Sequence, residues 1–340
     1  MPSVPALIWL VAALCGLAAP ACGDPSARSV HSLSHEAYVW QRAWTGAVRT
    51  SVAAAPDELS GLRVLALEVE TFPTASSSVA GHGLGDAPRV VWPEVDTAAL
   101  VHSGRPVTAV VRIDGSRPLP TLSLAPLWNR LAGWRERGVD LVGVEFDHDC
   151  ATAALSDYAD WLRTNEPPLG LRLSITALPT WARSPALAEV AAAVDELVVQ
   201  VHAIRSPSLF APDQAWAWLT SFANAVDNRP LRVALPTYSA RVSGVALTAD
   251  PHEVAAFVRQ LRREPVANVR GVVWFRLPIE GDGLTWSAAT LRAVIADRAL
   301  APDVRVALVA RWPWPWRRRA RQSTTTIPSR GPGRSTLRPR

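Results

Sequence analysis

The sequence contains no lysine, one methionine and three cysteines among its 340 residues. All 35 basic residues are therefore arginine, which together with abundant alanine indicates GC-rich coding rather than a special chemistry. Two of the cysteines, Cys15 and Cys22, lie near the N-terminus, and the third is Cys150. If the chain is processed at Cys22, only Cys150 remains in the body, and no internal disulfide forms.

Several motifs of cofactor and metal enzymes are also missing. No glycine-rich phosphate loop follows any predicted strand, which counts against a nucleotide-binding α/β sheet. Neither H-x-H nor H-E-x-x-H occurs, so the spacings typical of zinc hydrolases are absent. We therefore expect no cofactor and no resident metal.

The N-terminus has the pattern of an export signal. The run Ala6–Ala19 is apolar but too short to span a bilayer, and Ala19-Pro20-Ala21 gives an A-x-A cleavage site directly before Cys22. We expect residues 1–22 to be a signal peptide that is cleaved either at the A-x-A site or, as in lipoproteins, at Cys22. Residues 23–34 would then form a tether. The alternative is a buried N-terminal helix. The prediction places the protein in the cell envelope or outside the cell, in contact with membrane only through this anchor.

The positive charge is concentrated at the C-terminus. The formal net charge is +5, but the residues from Asp303 onward hold ten arginines and one acid, a charge of +9 that leaves −4 for residues 1–302. An acidic body with a basic end is not typical of a nucleic-acid-binding domain, so we expect no nucleic-acid partner. The Pro-, Ser-, Thr- and Arg-rich composition of 303–340 predicts a disordered tail. Its arginine cluster is alternatively a contact for an anionic surface or for nucleic acid.

The stretch Val139–Cys150, V-D-L-V-G-V-E-F-D-H-D-C, begins apolar and ends in three carboxylates. Because alternate side chains of a strand face opposite sides, Glu145, Asp147 and Asp149 share one face with Gly143. An apolar face with acids stacked toward the C-terminal end of the strand favours a parallel β/α barrel, in which the chemistry lies at that end. The alternatives are that the acids form a solvated strand end, or that Asp149 caps the helix that starts near Thr152.

Eight strand candidates can be counted, and helices alternate with them clearly in the second half of the chain. The candidates are Ala37–Trp44, Leu62–Glu70, Arg105–Gly115, Val139–Cys150, Leu171–Leu178, Glu196–Ile204, Leu231–Ala240 and Val269–Pro278. This count predicts an α/β fold, a (β/α)8 TIM-type barrel over residues 35–302. An open doubly wound sheet is the alternative, because the first two connections lack a strong helical pattern.

The polar faces of these strands predict a site for sugars at the barrel mouth. A dry barrel core would show Val, Ile and Leu at these positions, so we expect water or a polar ligand to reach them. Crowded carboxylates repel, and one of them should keep its proton to higher pH. We expect Asp149 to be the acid, Asp147 to orient it or act as nucleophile or base, and Glu145 to complete the catalytic group. The predicted substrate contacts are Glu70, Arg112, Gln200, His202, Tyr238, Trp274, Arg276 and Glu280.

Three of these assignments have a structural alternative. His202 is alternatively a lumen histidine with its hydrogen bonds satisfied by the protein, Tyr238 an ordinary residue at a strand end, and Trp274 core filling. Arg172 and Arg276 alternatively serve only to neutralise the charge of the acids.

Two family resemblances rest on these segments. Y-V-W-Q-R-A-W, G-V-E-F-D-H-D-C, L-S-I-T-A-L-P, V-V-Q-V-H, V-A-L-P-T-Y and V-V-W-F-R-L-P-I-E-G-D, within His35–Leu300, resemble in order and spacing the bacterial domain-of-unknown-function family numbered 3142. That resemblance implies the barrel and no mechanism. A more distant resemblance is to the motif D-G-x-D-x-D-x-E of chitinase-like family-18 glycoside hydrolases, on which Gly143, Glu145, Asp147 and Asp149 align. The last Glu of that motif is the family's catalytic acid, and Asp149 stands in its place, while Glu145 stands in place of the first Asp of the triplet.

These observations predict an exported, monomeric barrel of glycoside-hydrolase type that acts on or binds a polysaccharide of the envelope or surroundings. A second hypothesis is a non-catalytic carbohydrate-binding barrel tethered to the envelope. A third is a metal-dependent hydrolase in which Glu145, Asp147, Asp149 and His202 hold a divalent ion.

Overall fold

The structure is a computed structural model that describes residues 32–70, 88–115, 123–168, 170–202, 208–242 and 244–300. The predicted signal peptide with Cys22, most of the tether and the basic tail lie outside these residues. In the described part of the chain, no helix is both long and apolar enough to cross a membrane.

Eight parallel strands close into a barrel, which confirms the predicted fold class. In chain order the strands are β1 (Ser34–Val39), β2 (Leu59–Glu70), β3 (Arg89–Val91), β4 (Val107–Ile113), β5 (Leu141–His148), β6 (Arg172–Ala177), β7 (Glu196–Gln200), β8 (Leu231–Pro236), β9 (Ser239–Val242), β10 (Val245–Thr248) and β11 (Val269–Phe275). The ring runs β1–β2–β4–β5–β6–β7–β8–β11 and closes because β11 pairs with β1. Strand β3 pairs antiparallel with the end of β2, and β9 with β10 forms a hairpin outside the ring.

Helices connect the barrel strands. They are α1 (Gly46–Ala53), α2 (Thr97–Ser103), α3 (Ala125–Glu136), α4 (Leu155–Thr164), α5 (Leu187–Ala192), α6 (Pro212–Ala225), α7 (Pro251–Arg263) and α8 (Ala288–Ile295). The first two fill the connections where the sequence shows no strong helical pattern. Each begins at a capping side chain: Thr45 accepts from the N–H of Val48 at 3.4 Å, and Asp96 from that of Ala99 at 3.0 Å.

The main apolar core lies between the outer face of the barrel and the helices. Strand β5 shows the division, since Val144 and Phe146 are fully buried on the outer side and Phe146 packs edge-on against Trp161 of α4 at 4.8 Å. Glu145 and Asp147 of the same strand point into the lumen. This alternation is what positions the strand-end carboxylates inside the ring.

Candidate functional site

A network of buried ion pairs fills the lumen toward the N-terminal ends of the strands. Arg63 of β2 donates to Glu36 of β1 at 2.6 Å, to Glu196 of β7 at 2.6 Å and to Glu145. Arg232 of β8 donates to Glu36 at 3.0 Å and to Glu196 at 2.9 Å. Branched apolar side chains ordinarily fill this part of a barrel. Here each of the three carboxylates pairs with at least one of two guanidinium groups, so every buried acid of the network has a cationic partner within the protein.

This network corrects the role predicted for Glu145. Its side chain is fully buried, pairs with Arg63 and accepts a hydrogen bond from the hydroxyl of Tyr38 at 2.6 Å. It lies beneath the open cavity rather than on its wall. A carboxylate that cannot touch a ligand is not a catalytic residue, and Glu145 instead holds Arg63 and Tyr38 in place.

Above the network lies an open cavity of about 270 Å³. That volume is near the lower end of the range of small-molecule sites, roughly 300–1,000 Å³. The lining residues come from all eight barrel strands or the loops that follow them: Tyr38, Trp40, Glu68, Arg112, Asp147, Asp149, Thr176, Gln200, His202, Ala234, Tyr238 and Phe275. Six of the eleven predicted catalytic and substrate-binding residues are in this set, namely Arg112, Asp147, Asp149, Gln200, His202 and Tyr238.

One wall of the cavity is aromatic and centres on Phe275. The ring centroid of Phe275 is 5.1 Å from that of Trp40, 5.5 Å from that of Tyr38 and 5.5 Å from that of Tyr238. Edge-to-face pairs of this kind fix the rings, and all four residues line the cavity. The alternation Tyr38-x-Trp40 in the first strand is the sequence signal that could have identified part of this wall.

The opposite wall carries the two strand-end carboxylates and one arginine. Arg112 of β4 donates from Nη1 to Asp147 at 2.9 Å, from Nη2 to Asp149 at 2.8 Å and from Nε to Asp114 at 3.1 Å. The side chain of Asp147 is 9% exposed and that of Asp149 is 43% exposed. Arg112 therefore holds both carboxylates, although it was predicted as a substrate contact.

Burial raises the pKa of Asp147 from an ordinary 3.8 to about 6. The negative charges of Asp149 and Glu145 act in the same direction, whereas Arg112 opposes them. Asp149 was predicted to keep its proton because it is nearest the mouth. The raised pKa is that of Asp147, whose side chain is the more buried of the two.

His202 presents a hydrogen-bond acceptor to the cavity. Its Nδ1 lies 3.4 Å from the backbone carbonyl oxygen of Ala234, so Nδ1 must carry the proton. Burial lowers the pKa of His202 to about 4, and the ring is neutral near pH 7. The unprotonated Nε2 has no hydrogen-bond partner in the described residues, while the ring lines the cavity. Gln200 lies beside it on the same wall.

Trp274 is not part of the site, although it was predicted to face a sugar. Strand β11 turns Gly271, Val273 and Phe275 inward, because Gly271 and Val273 pair with the lumen-facing Arg232 and Ala234. Trp274 is consequently on the outer face, fully buried and stacked on His35 at 5.8 Å. The prediction placed the polar-looking face inward. It was wrong because the indole of Trp274 and the charge of Arg276 made their face of the strand look polar. The small and apolar residues of the other face are the ones that fit the lumen.

Three further predicted contacts lie apart from the cavity wall. Arg276 donates to Asp282 at 2.6 Å, Glu280 is exposed beyond the last strand, and Glu70 pairs at the rim with Arg42 at 2.7 Å and with Arg89 at 3.1 Å. None of the three lines the cavity.

Glu68 does line the cavity, by way of an irregularity in β2. The register slips between Leu65, which pairs with Val110, and Leu67, which pairs with Val111. Regular alternation would place Val64 and Ala66 on the face of Glu68, but both belong to the outer core. A bulge adds one residue and reverses the alternation beyond it.

The metal-binding hypothesis requires Glu145, Asp147, Asp149 and His202 to converge. The structure holds Glu145 against Arg63 and both aspartates against Arg112, so cationic groups already occupy these carboxylates. In the described ranges, no group of three or more His, Cys, Asp or Glu side chains is placed to hold a metal ion. The arrangement does not fit the predicted four-ligand site.

Comparisons with solved structures match the fold. The spore cortex-lytic enzyme SleL of Bacillus cereus superposes with a TM-score of 0.52 at 12% identity, over 79% of this chain and 75% of that one. A GH18 chitinase from Pseudoalteromonas aurantia gives 0.47 at 16% identity, over 78% and 98% of the two chains. The xylanase and alpha-amylase inhibitor protein XAIP-II from Scadoxus multiflorus gives 0.47 at 13%, over 79% and 100%. At 12% identity the likeness to SleL shows the barrel fold alone.

The comparison with curated proteins finds no match. The family comparison matches residues 103–280, just over half of the chain, to the domain of unknown function DUF3142. The matched range contains β4 to β11 of the barrel and most of the cavity wall. This confirms the resemblance drawn from the motifs, and the chain belongs to the DUF3142 family.

Proposed function

We propose that this protein hydrolyses a glycan, binding a sugar ring against the aromatic wall and protonating the glycosidic oxygen from Asp147. The observation that carries the proposal is the carboxyl of Asp147, which lines the cavity and has a pKa of about 6. A group that keeps its proton close to neutral pH is what a general acid requires. Aromatic faces and carboxylates on facing walls suit a pyranose and its bond.

Asp149 is the second carboxylate of the proposed mechanism. It lies at the mouth, where its negative charge can stabilise the positive charge that develops on the sugar as the bond breaks. Arg112 acts as a positioning residue, since adjacent nitrogens of its guanidinium hold Asp147 and Asp149 at 2.9 and 2.8 Å. This assignment exchanges the roles predicted from the sequence, because the raised pKa is at Asp147.

The proposed substrate is a polysaccharide of the cell envelope or of the surroundings, reached by a monomer. The proposal includes export, which rests on the apolar run Ala6–Ala19 and the A-x-A site before Cys22. N-terminal sequencing and mass measurement of protein recovered from the envelope and the medium would test it. An intact N-terminus starting at Met1 in cytoplasmic protein would contradict export.

Replacing Asp147 by asparagine is expected to lower the turnover of a responsive polysaccharide at least a hundredfold. Asparagine keeps the shape of the side chain but has no proton to donate, and general-acid catalysis contributes roughly 10²–10⁴-fold. Asp149→Asn is expected to lower turnover as well. The measurement is the release of reducing ends from a panel of envelope and extracellular polysaccharides.

A matched control is Asp160→Asn, the same chemical change at an exposed position of α4, where the side chain is 77% exposed. It should leave turnover unchanged. If both Asp147→Asn and Asp149→Asn retain wild-type activity on every responsive substrate, the proposed roles are wrong.

One observation favours a second candidate, a barrel that binds glycans without cleaving them. Arg112 donates to both strand-end carboxylates, so each acid already has a cationic partner. A binding site needs fixed acceptors but no free acid. Wild-type protein that binds a glycan without releasing reducing ends, together with an Asp147→Asn variant that binds equally well, would select this candidate.

Adjacent residues of β11 give a test of the aromatic wall that applies to both candidates. Phe275→Ala removes the ring at the centre of the wall and is expected to weaken glycan binding roughly tenfold, about 1.4 kcal/mol. Trp274→Phe changes the outer face of the same strand, so it should lower the thermal stability and leave the affinity unchanged. Calorimetric titration and thermal melts measure the two effects, and the reverse pattern would place the sugar elsewhere.

A further inference from the structure

A second concave surface lies on the outside of the barrel, between two elements that follow neighbouring strands. The first element is the 3-10 helix Pro179–Arg183, which comes directly after β6, and the second is α6, which follows β7. Between them lies a groove of about 330 Å³, which we call the flank groove. Its volume falls within the range of small-molecule sites, roughly 300–1,000 Å³.

The polar side chains of the flank groove are free to bind a ligand. Four of them line it, and over the ranges that the structure describes none makes a hydrogen bond or an ion pair: Thr180, Arg183, Gln214 and Ser221. Arg183 is exposed, so all five of its N–H donors are available. A guanidinium in this state can hold a carboxylate through two parallel hydrogen bonds.

Trp218 gives the flank groove an apolar wall. It is half-buried, packs against the main core and lies on the same face of α6 as Gln214 and Ser221, at spacings of four and three residues. Among the residues whose positions the structure gives, no ring or cation pairs with its indole. The flat face of an indole suits a pyranose ring, and the neighbouring amide and hydroxyls match sugar hydroxyl groups.

The charge of the flank groove is positive. Its lining residues, all within the described part of the chain, include Arg183 and no carboxylate. The acid nearest to Gln214 in the sequence, Asp213, is exposed, does not line the groove and forms no ion pair with Arg183. A sugar with a carboxylate would therefore gain a charge-assisted contact that a neutral sugar does not.

The flank groove lies close to the cavity described above. Thr176, near the end of β6, lines the cavity, and Pro179, three residues further along, lines the groove. Three residues of chain span at most about 11 Å, so the Cα atoms of these two residues are no further apart than that. A polysaccharide held in the flank groove is therefore kept beside the mouth.

We propose that the flank groove binds an acidic sugar of a polysaccharide, with its ring against Trp218 and its carboxylate paired with Arg183. This site is separate from the cavity. The inference goes beyond the proposed function, because binding in the flank groove requires no cleavage.

The experiment is calorimetric titration of the full-length protein with the tetramers of galacturonic acid and glucose, and with inorganic phosphate, at about pH 7, where the galacturonate carboxyls are ionised. We expect the galacturonate tetramer to bind more tightly than the glucose tetramer. Arg183→Gln should lower the galacturonate affinity at least about tenfold, because it removes the charge and the paired donors, and should leave the glucose affinity unchanged.

Three variants control for charge, geometry and packing. Arg183→Lys keeps the charge without the planar fork and should restore only part of the affinity. Arg298→Gln removes an exposed arginine beyond α8, which pairs with Glu58 at 3.6 Å, and should change nothing. Trp218→Ala should weaken galacturonate binding about tenfold, and thermal melts check that this variant is folded.

Three results would overturn the inference. They are a galacturonate affinity that Arg183→Gln does not lower, an equal loss in Arg298→Gln, and phosphate that binds at Arg183 while the galacturonate tetramer does not. Each leaves the proposed function untouched, since that function is tested by turnover in Asp147→Asn and by glycan binding in Phe275→Ala.

Discussion

Replacing Arg63 by methionine is expected to lower the free energy of unfolding by about 3–5 kcal/mol, without touching the cavity. Arg63 is buried and bridges Glu36, Glu145 and Glu196. Arg232 still pairs with Glu36 and Glu196 after the change, but Glu145 loses its cation. Removing one partner of a buried pair leaves an uncompensated charge, and such losses cost about this much. Urea unfolding of the variant and the wild type measures the difference.

Two further variants test whether the expected loss of stability comes from the burial of the ion pair. Arg163→Met removes an arginine of an exposed pair with Asp160 and should cost less than about 1 kcal/mol. The double variant Arg63→Met, Glu145→Gln removes the stranded charge together with its partner and should recover part of the loss. A single Arg63→Met variant as stable as Arg163→Met would show that the network is not charged as described.

Regular alternation makes much of the fold predictable. The stretch Val139–Cys150 predicts the two faces of β5 correctly, because one face is apolar throughout and the other carries acids at every second position. Helices α6 and α7 are equally clear, since each begins with a proline in its first turn. The short helices α1 and α2 are missed because each buries only one or two residues.

The site is harder to predict, because one residue out of register exchanges the lumen with the outer core. Trp274 and Phe275 are neighbours on β11, and choosing between them requires knowing that Gly271 lies beside Arg232, where an added Cβ would be 2.6 Å from a guanidinium nitrogen. Ion-pair partners are equally hard to predict, since Glu145 and Arg63 are 82 residues apart in the sequence. A sequence shows that a carboxylate faces inward, and only the closed ring shows whether it meets an arginine or a cavity.

Asp147→Asn is expected to gain stability relative to the wild type as the pH rises from about 4 to about 6.5. The pKa of Asp147 lies near 6 in the folded protein, against an ordinary 3.8, so the folded state binds its proton more tightly than the unfolded state. Between these values the folded state holds more protons, and the contribution of Asp147 to the free energy of unfolding falls as the pH rises. A pKa shift of about two units corresponds to about 3 kcal/mol of unfolding free energy. The wild type loses this contribution as the pH rises, and the asparagine variant does not.

The measurement is the difference between the two unfolding free energies at each pH, because other titrating groups cancel in that difference. His202→Gln supplies a control of opposite sign. Burial lowers the pKa of His202 from 6.5 to about 4, so its contribution is complete above about pH 6.5 and is lost as the pH falls toward 4. The free energy of unfolding of His202→Gln should therefore rise relative to that of the wild type as the pH falls toward 4. Over the same range, the free energy of unfolding of Asp147→Asn should fall relative to that of the wild type. A flat difference for Asp147→Asn would mean that its pKa is ordinary, and with it the proposed general acid would be lost.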